Sequence, residues 1–220
     1  MNWKPGTIID RYCIGRELGR GGIAVVYQAK HTQLDSLHAL KVVSTPDQST
    51  RDRLLQEGKV QSTLQHRNLV SVTDLVAAGG APILVMELVQ GPSLAGFLEK
   101  YRPTLLEADR LARGILEGML CAHESGVIHR DLKPANVLLA IEGQTLVPKI
   151  ADFGLVKVVD EDKRGVATRT GVVMGTPAYM APEQLRDSSK VDKRADVFAL
   201  GALLYELVSG IQAFEADDTI

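Results

Sequence analysis

The chain has 220 residues and a mass of 23.8 kDa, with 45% hydrophobic and 24% charged side chains. That is the composition of an ordinary globular protein with room for one large or two small domains, and it excludes collagen, coiled coil and disordered chain. A formal charge of -2, from 25 Lys+Arg against 27 Asp+Glu, excludes a strongly basic nucleic-acid binder or a polybasic membrane anchor.

From Tyr12 to about Val43 short β-branched runs alternate with glycine, in IGRELGRGGIAVVYQA and LHALKVV, which predicts antiparallel strands with tight turns. Residues 51–65 have long side chains and few breakers and predict one helix. The stretches LVSVTDLV and PILVMELV resume the strand pattern around the AAGGA turn at 77–81, and the composition changes at QGPSL, 90–94. This divides the chain into a β-rich part, residues 1–90 with one helix, and a helical part, residues 91–220. In the second part 94–100 and 107–125 read as helices, the latter with Leu111, Ile115, Leu116, Met119 and Leu120 at helical spacing.

Nothing at the N-terminus has the apolar run of a signal peptide. The most apolar stretch, Val197 to Val208, is shorter than the roughly 20 residues of a membrane span and contains Glu206, so it predicts a buried helix. Cys13 and Cys121 stand alone, without a CxxC, and fit structural thiols in a reducing compartment; a cytoplasmic location is expected. His31, His38, His66 and His123 show neither HxH nor HExxH spacing and predict ordinary surface or core positions.

Gly19, Gly21 and Ala24 form GxGxxA, a loop whose missing side chains let backbone N–H groups approach phosphate oxygens. Alone, the pattern also fits a dinucleotide-binding turn or a purely structural hairpin. A dinucleotide fold needs a helix after the loop, whereas here the loop runs into VVYQA, an alternating strand. Lys41, flanked by apolar strand residues in ALKVV, is costly to bury without an anionic partner, and Glu57 on the following helix is a candidate. HRDLKPAN at 129–136 matches H-R-D-L-x-x-x-N. Its five fixed positions arise by chance in roughly one window in three million. DFG at 152–154 and APE at 181–183 follow in order.

On GRGGIAVVY, HALK, HRDLKPAN, DFGL and GTPAYMAPEQ the chain resembles Hanks-type protein kinases, most closely the bacterial serine/threonine kinases. The resemblance covers nearly all of the sequence. It implies an α+β, two-lobed fold with a small antiparallel sheet lobe, a helical lobe and ATP in the cleft. Gly19, Arg20, Gly21, Gly22 and Ala24 would close over the phosphates, and Lys41, held by Glu57, would contact the α- and β-phosphates. Asp131 would accept the hydroxyl proton, Lys133 would contact the γ-phosphate, and Asn136 and Asp152 would hold Mg²⁺. Adenine would sit between Val26 and Ala39 above and Leu138 below, with backbone bonds from Glu87 and Val89 and Met86 as gatekeeper.

Lys133 and Thr176 follow the serine/threonine pattern, so protein Ser/Thr hydroxyls are the implied acceptors. His129 and Phe153 would belong to an apolar stack. Because Arg130 precedes Asp131, the resemblance also implies an activation-loop phosphate. Thr168 and Thr170 are its candidate autophosphorylation sites, with Lys157 and Arg53 as basic partners.

Two departures shape the expectations. Family members continue through further helices beyond AFEADDTI, so a shortened lobe is expected to leave Glu183 without its usual arginine. It is also expected to leave Val197, Leu200, Leu203, Leu204 and Leu207 without cover, favouring self-association or a partner. Gln61, four residues after Glu57, stands where the family usually has an apolar residue. The leading expectation is an ATP- and Mg²⁺-dependent protein serine/threonine kinase; the alternative is an inactive kinase-like domain acting as an interaction module.

Overall fold

The computed structural model describes residues 3–21, 24–43, 48–153, 177–186 and 191–214. The chain divides into two units, Met1–Gln65 with Val70–Leu88, and His66–Leu69 with Val89–Ile220.

The first unit is an antiparallel sheet with one helix. Its strands are β1 (Ile8–Ile9), β2 (Tyr12–Arg20), β3 (Ala24–His31), β4 (Leu37–Val43), β5 (Val72–Ala78) and β6 (Ala81–Glu87), in spatial order β1-β2-β3-β4-β6-β5. Period two sorts the side chains. Ile14, Val25, Tyr27, Ala29, Leu40, Val42, Ile83 and Val85 bury into one core, while Val26, Ala39 and Lys41 fall on the other face of β3 and β4. Near the two sides of the sheet, Arg11 Nη2 and the Tyr12 hydroxyl both bond Asp74 Oδ2 on β5, at 2.5 and 3.0 Å. These bonds tie β5 back to the start of β2 and curl the sheet.

Helix α1 runs Gln48–Ser62, beginning and ending about three residues before the span expected from composition. It stops at Ser62 because the Thr63 and Leu64 N–H groups turn to carbonyls three residues back, Val60 and Gln61.

In the second unit α2 (Leu94–Leu98) starts at the N-cap Ser93. Helix α3 (Leu105–Glu124) starts at a capping box in which Thr104 and Glu107 bond each other's backbone N–H. The buried stripe of α3 contains Ala108, Leu111, Ile115, Met119 and Ala122. Gly114 and Gly118 lie in the same stripe, where a Cβ would sit 2.7 Å from the Asn68 amide and from Pro148, and 2.9 Å from the Asn68 carbonyl. Helix α3 therefore lies directly against the Asn68 backbone and against the Pro148 ring of a two-stranded ribbon, which explains why His66–Leu69 pack with this unit.

That ribbon, β7 (Val137–Glu142) paired with β8 (Thr145–Ile150), is a strand pair within the part of the chain where helix dominates. VLLAI alternates across the two faces, and Gly143 at φ 61° turns the chain. Helices α4 (Pro182–Arg186) and α5 (Lys193–Ser209) complete the described residues. Asp192 caps α5 through the Arg194 N–H, and Gly210 closes it in the left-handed conformation.

The expected uncovered row on α5 is corrected in part. Leu200, Leu203 and Leu207 are buried, because α5 packs on α3 and on the short turn Pro177–Tyr179. On α5 and just after it, Val197, Tyr205, Val208, Ile211 and Phe214 are exposed apolar side chains. Glu183 is exposed, so its carboxylate carries no burial cost. Among the described residues no helix is long and apolar enough to cross a membrane.

Candidate active site

In the first unit the glycine-rich segment forms a β2–β3 hairpin, with Gly19 opposite Val26 and Arg20 opposite Val25. The Gly21 N–H closes on the Ala24 carbonyl at 2.8 Å. Two register shifts between Ile14 and Gly19 leave β2 irregular at its exposed end. Neither packing nor positive φ requires glycine at 19 or 21: a Cβ at Gly19 would meet nothing within 4 Å, and one at Gly21 only the Ala24 carbonyl at 3.7 Å. The space beside that backbone is the cradle an anion needs. Gly22 lies outside the described residues.

Lys41 on β4 and Glu57 on α1 form a buried ion pair, Nζ to Oε1 2.6 Å, with the residues 8% and 1% exposed. Removing one member of such a pair costs about 3–5 kcal/mol, because the other charge is left in the interior. Gln61 is also buried, and its Nε2 donates to the same Glu57 oxygen at 3.2 Å. Val26 and Ala39 lie on the Lys41 face of the sheet, Met86 pairs with Ala39 across β4 and β6, and Glu87 ends β6 with its N–H on the Ser71 carbonyl.

In the second unit HRDLKPAN folds as a loop ending in a single turn, Pro134–Asn136. Lys133 Nζ stands 3.3 and 3.2 Å from Asp131 Oδ1 and Oδ2. Asn136 Nδ2 donates to the Asp131 carbonyl at 2.8 Å and to its Oδ2 at 3.0 Å. These bonds fix the Asn136 amide, so the group it can offer a cation is its oxygen.

His129 is fully buried; its Nδ1 accepts the Asp131 N–H at 3.2 Å and its Nε2 donates to the Ala151 carbonyl at 3.0 Å. Burial pushes its pKa down, and its ring lies 4.7 Å from that of Phe153. This is the apolar stack expected of the pair.

Sequence reasoning missed what holds this loop. Asp196, in the first turns of α5 and 1% exposed, accepts from the His129 N–H, the Arg130 N–H and His123 Nε2, each at 2.8 Å. Gln184 Nε2 donates to the Arg130 carbonyl at 2.8 Å. Arg130 and Asp152 adopt φ of 64° and 58°, conformations that cost about 1–3 kcal/mol each and persist because the surroundings impose them. The only local signal was a carboxylate inside an apolar helix. Tyr179 bonds Glu206, and burial together with that carboxylate pushes its phenol above the usual range. A small cavity beside Asp131 is lined by Arg130, Lys133, Tyr179, Gln184 and Asp196.

Leu138, opposite Lys149 on β7, is half-buried, and Val89 begins the main stretch of this unit. Among the described residues no group of three or more His, Cys, Asp or Glu forms a metal cage. A hard cation that shares phosphate oxygens and waters needs only one or two protein oxygens, and an amide and a carboxylate of the kind at Asn136 and Asp152 are chemically suited to that. Thr168, Thr170, Lys157 and Thr176 lie outside the described residues, as does the side chain of Arg53.

A model of the protein kinase domain matches residues 12–220. The serine/threonine-protein kinase pkn3 of Myxococcus xanthus is 39% identical over 97% of this chain and 40% of its own length. PknL of Mycobacterium tuberculosis is 37% identical over 99% of this chain and 54% of its own. The crystal structure of Rad53 residues 1-466 in complex with AMP-PNP is similar with a TM-score of 0.76 and 26% identity, over 94% of this chain and 51% of that one. The chain thus spans about half the length of the relatives it matches.

Proposed function

The chain belongs to the protein kinase domain family, and from that premise we propose that it is an ATP- and Mg²⁺-dependent protein serine/threonine kinase. The convergence of Lys133 and Asn136 on the Asp131 carboxylate, within 3.3 Å, carries the reading. A lysine and an amide on one carboxylate hold it aimed, as a general base requires. Asp131 accepts the proton of a seryl or threonyl hydroxyl as that oxygen bonds the γ-phosphorus and the bond to the ADP oxygen breaks. Lys133 balances the charge on the transferring group.

On the first unit, Lys41 held by Glu57 contacts the α- and β-phosphates, and the open backbone of Gly19, Arg20, Gly21 and Ala24 lies over them. Val26 and Ala39 are this unit's contacts to the adenine, with a backbone bond from Glu87. Asn136 and Asp152 would hold Mg²⁺, which would neutralise charge on the phosphate oxygens. Thr168 and Thr170 are the sites of autophosphorylation, where a phosphate would face Arg130. Use of ATP, together with two free cysteines, supports a cytoplasmic location.

The presence of Lys41, Glu57, Asp131, Asn136 and Asp152 together favours activity over an inactive interaction module. Transfer of radiolabelled γ-phosphate to an acceptor protein, followed by phosphoamino-acid analysis, tests the reading. Label on serine or threonine is expected; label on tyrosine alone, or equal label with Asp131→Ala, would refute it.

A further inference from the structure

Helix α1 buries Leu54, Glu57, Gly58 and Gln61 along one stripe, and Leu64 just past its end is buried too. Glu57 and Gln61 are the polar members, and a buried polar group is tolerated only when it is bonded. Gln61 lies one turn C-terminal to Glu57, and helical side chains lean toward the N-terminus. Its amide therefore reaches back to Glu57 Oε1 at 3.2 Å, the same oxygen that receives Lys41 at 2.6 Å.

We propose that Gln61 is a positioning residue for the Lys41–Glu57 pair: its neutral amide holds the Glu57 carboxylate in the rotamer that meets the ammonium. The inference rests on the kinase reading above. The lysine of that reading divides its hydrogens between Glu57 and the phosphates. A carboxylate held by the lysine alone loses part of its support whenever nucleotide draws the ammonium away. Gln61 supplies a second donor that no ligand competes for, from the same helix, and adds no charge that would turn the lysine aside.

A double-mutant cycle tests this, with wild type, Gln61→Met, Glu57→Gln and the double variant compared by kcat/KM for Mg·ATP, and the KM for a peptide acceptor as control. Methionine keeps the length and burial of glutamine and removes the donor. Gln61→Met is expected to lower kcat/KM for ATP about tenfold in the wild-type background, on the scale of one hydrogen bond to a charged group. In the Glu57→Gln background it is expected to change it less than about twofold, with the peptide KM unchanged throughout. Urea unfolding of the four proteins shows that each is folded, and Gln61→Leu repeats the test with a second donor-free shape.

Wild-type kcat/KM in both Gln61 variants, or the same loss in both backgrounds, would overturn the positioning role while leaving the kinase reading intact. Absence of turnover from folded wild type would overturn the kinase reading and this role with it.

Discussion

Substituting Asp196→Asn probes the element that poises the catalytic loop. The carboxylate accepts three bonds at 2.8 Å: His129 N–H and His123 on Oδ2, Arg130 N–H on Oδ1. An amide keeps one oxygen and turns its NH₂ against the donor at the other. With the oxygen placed toward His129 and His123, the Arg130 N–H faces another donor, leaving a buried group unsatisfied at about 1–3 kcal/mol. The remaining bonds lose their charge assistance, which brings the total to about 2–4 kcal/mol. Arg130 then has less to hold it at φ 64°, where a non-glycine residue stores about 1–3 kcal/mol. Its relaxation moves Asp131, the next residue.

The variant should unfold about 4–15 °C below wild type and lose at least about tenfold in kcat. The KM for ATP should change less than kcat, because Lys41, which contacts the α- and β-phosphates, and its partner Glu57 belong to the other unit. Thermal unfolding and initial-rate kinetics read these quantities. A kcat within about twofold of wild type, in a protein destabilised as expected, would show that the loop keeps its geometry without the carboxylate and would refute the reasoning.

Gly210→Ala should destabilise the second unit: the residue sits at φ +71° and a Cβ would fall 1.0 Å from Arg102 Nη1. About 1–2 kcal/mol from the left-handed conformation alone, read as a lower urea midpoint, is expected; an unchanged midpoint contradicts it. Stability should fall as pH drops below 6.5, the ordinary histidine value, because burial keeps His129 neutral in the fold while the unfolded chain takes up the proton. His38 is shifted in the same direction by burial. The slope of urea midpoint between pH 5 and 7 should shrink in His129→Asn, and an equal slope would remove His129 as its source. Asp152→Asn should cut Mg²⁺-dependent turnover about 10²-fold or more through lost charge stabilisation. Retained turnover would mean that the cation is held elsewhere.

The residues legible in the sequence are those whose partners are near in the chain or whose identities are fixed in a short run. Asp131, Lys133 and Asn136 fall within one loop, and Lys41 needed a counter-ion that the following helix offered at Glu57. Asp196 was not legible because the two N–H groups it holds lie 66 and 67 residues earlier, a separation that periodicity cannot span. The cover of Leu200, Leu203 and Leu207 was misjudged for the same reason, since α3, far earlier in sequence, supplies it. The β7–β8 ribbon escaped notice between helical segments because its alternation is short. Gln61 read as a departure from an apolar position, and burial shows it bonded to Glu57 instead.

Mass analysis of intact protein and peptides after incubation with Mg·ATP, with Asp131→Ala alongside, tests the central claim most directly. One or more added phosphates in wild type, mapped to Thr168 or Thr170 and missing from the variant, is the predicted result. Folded wild type that gains no phosphate and labels no acceptor, or phosphate added equally to both proteins, would contradict the assignment of phosphoryl transfer to Asp131.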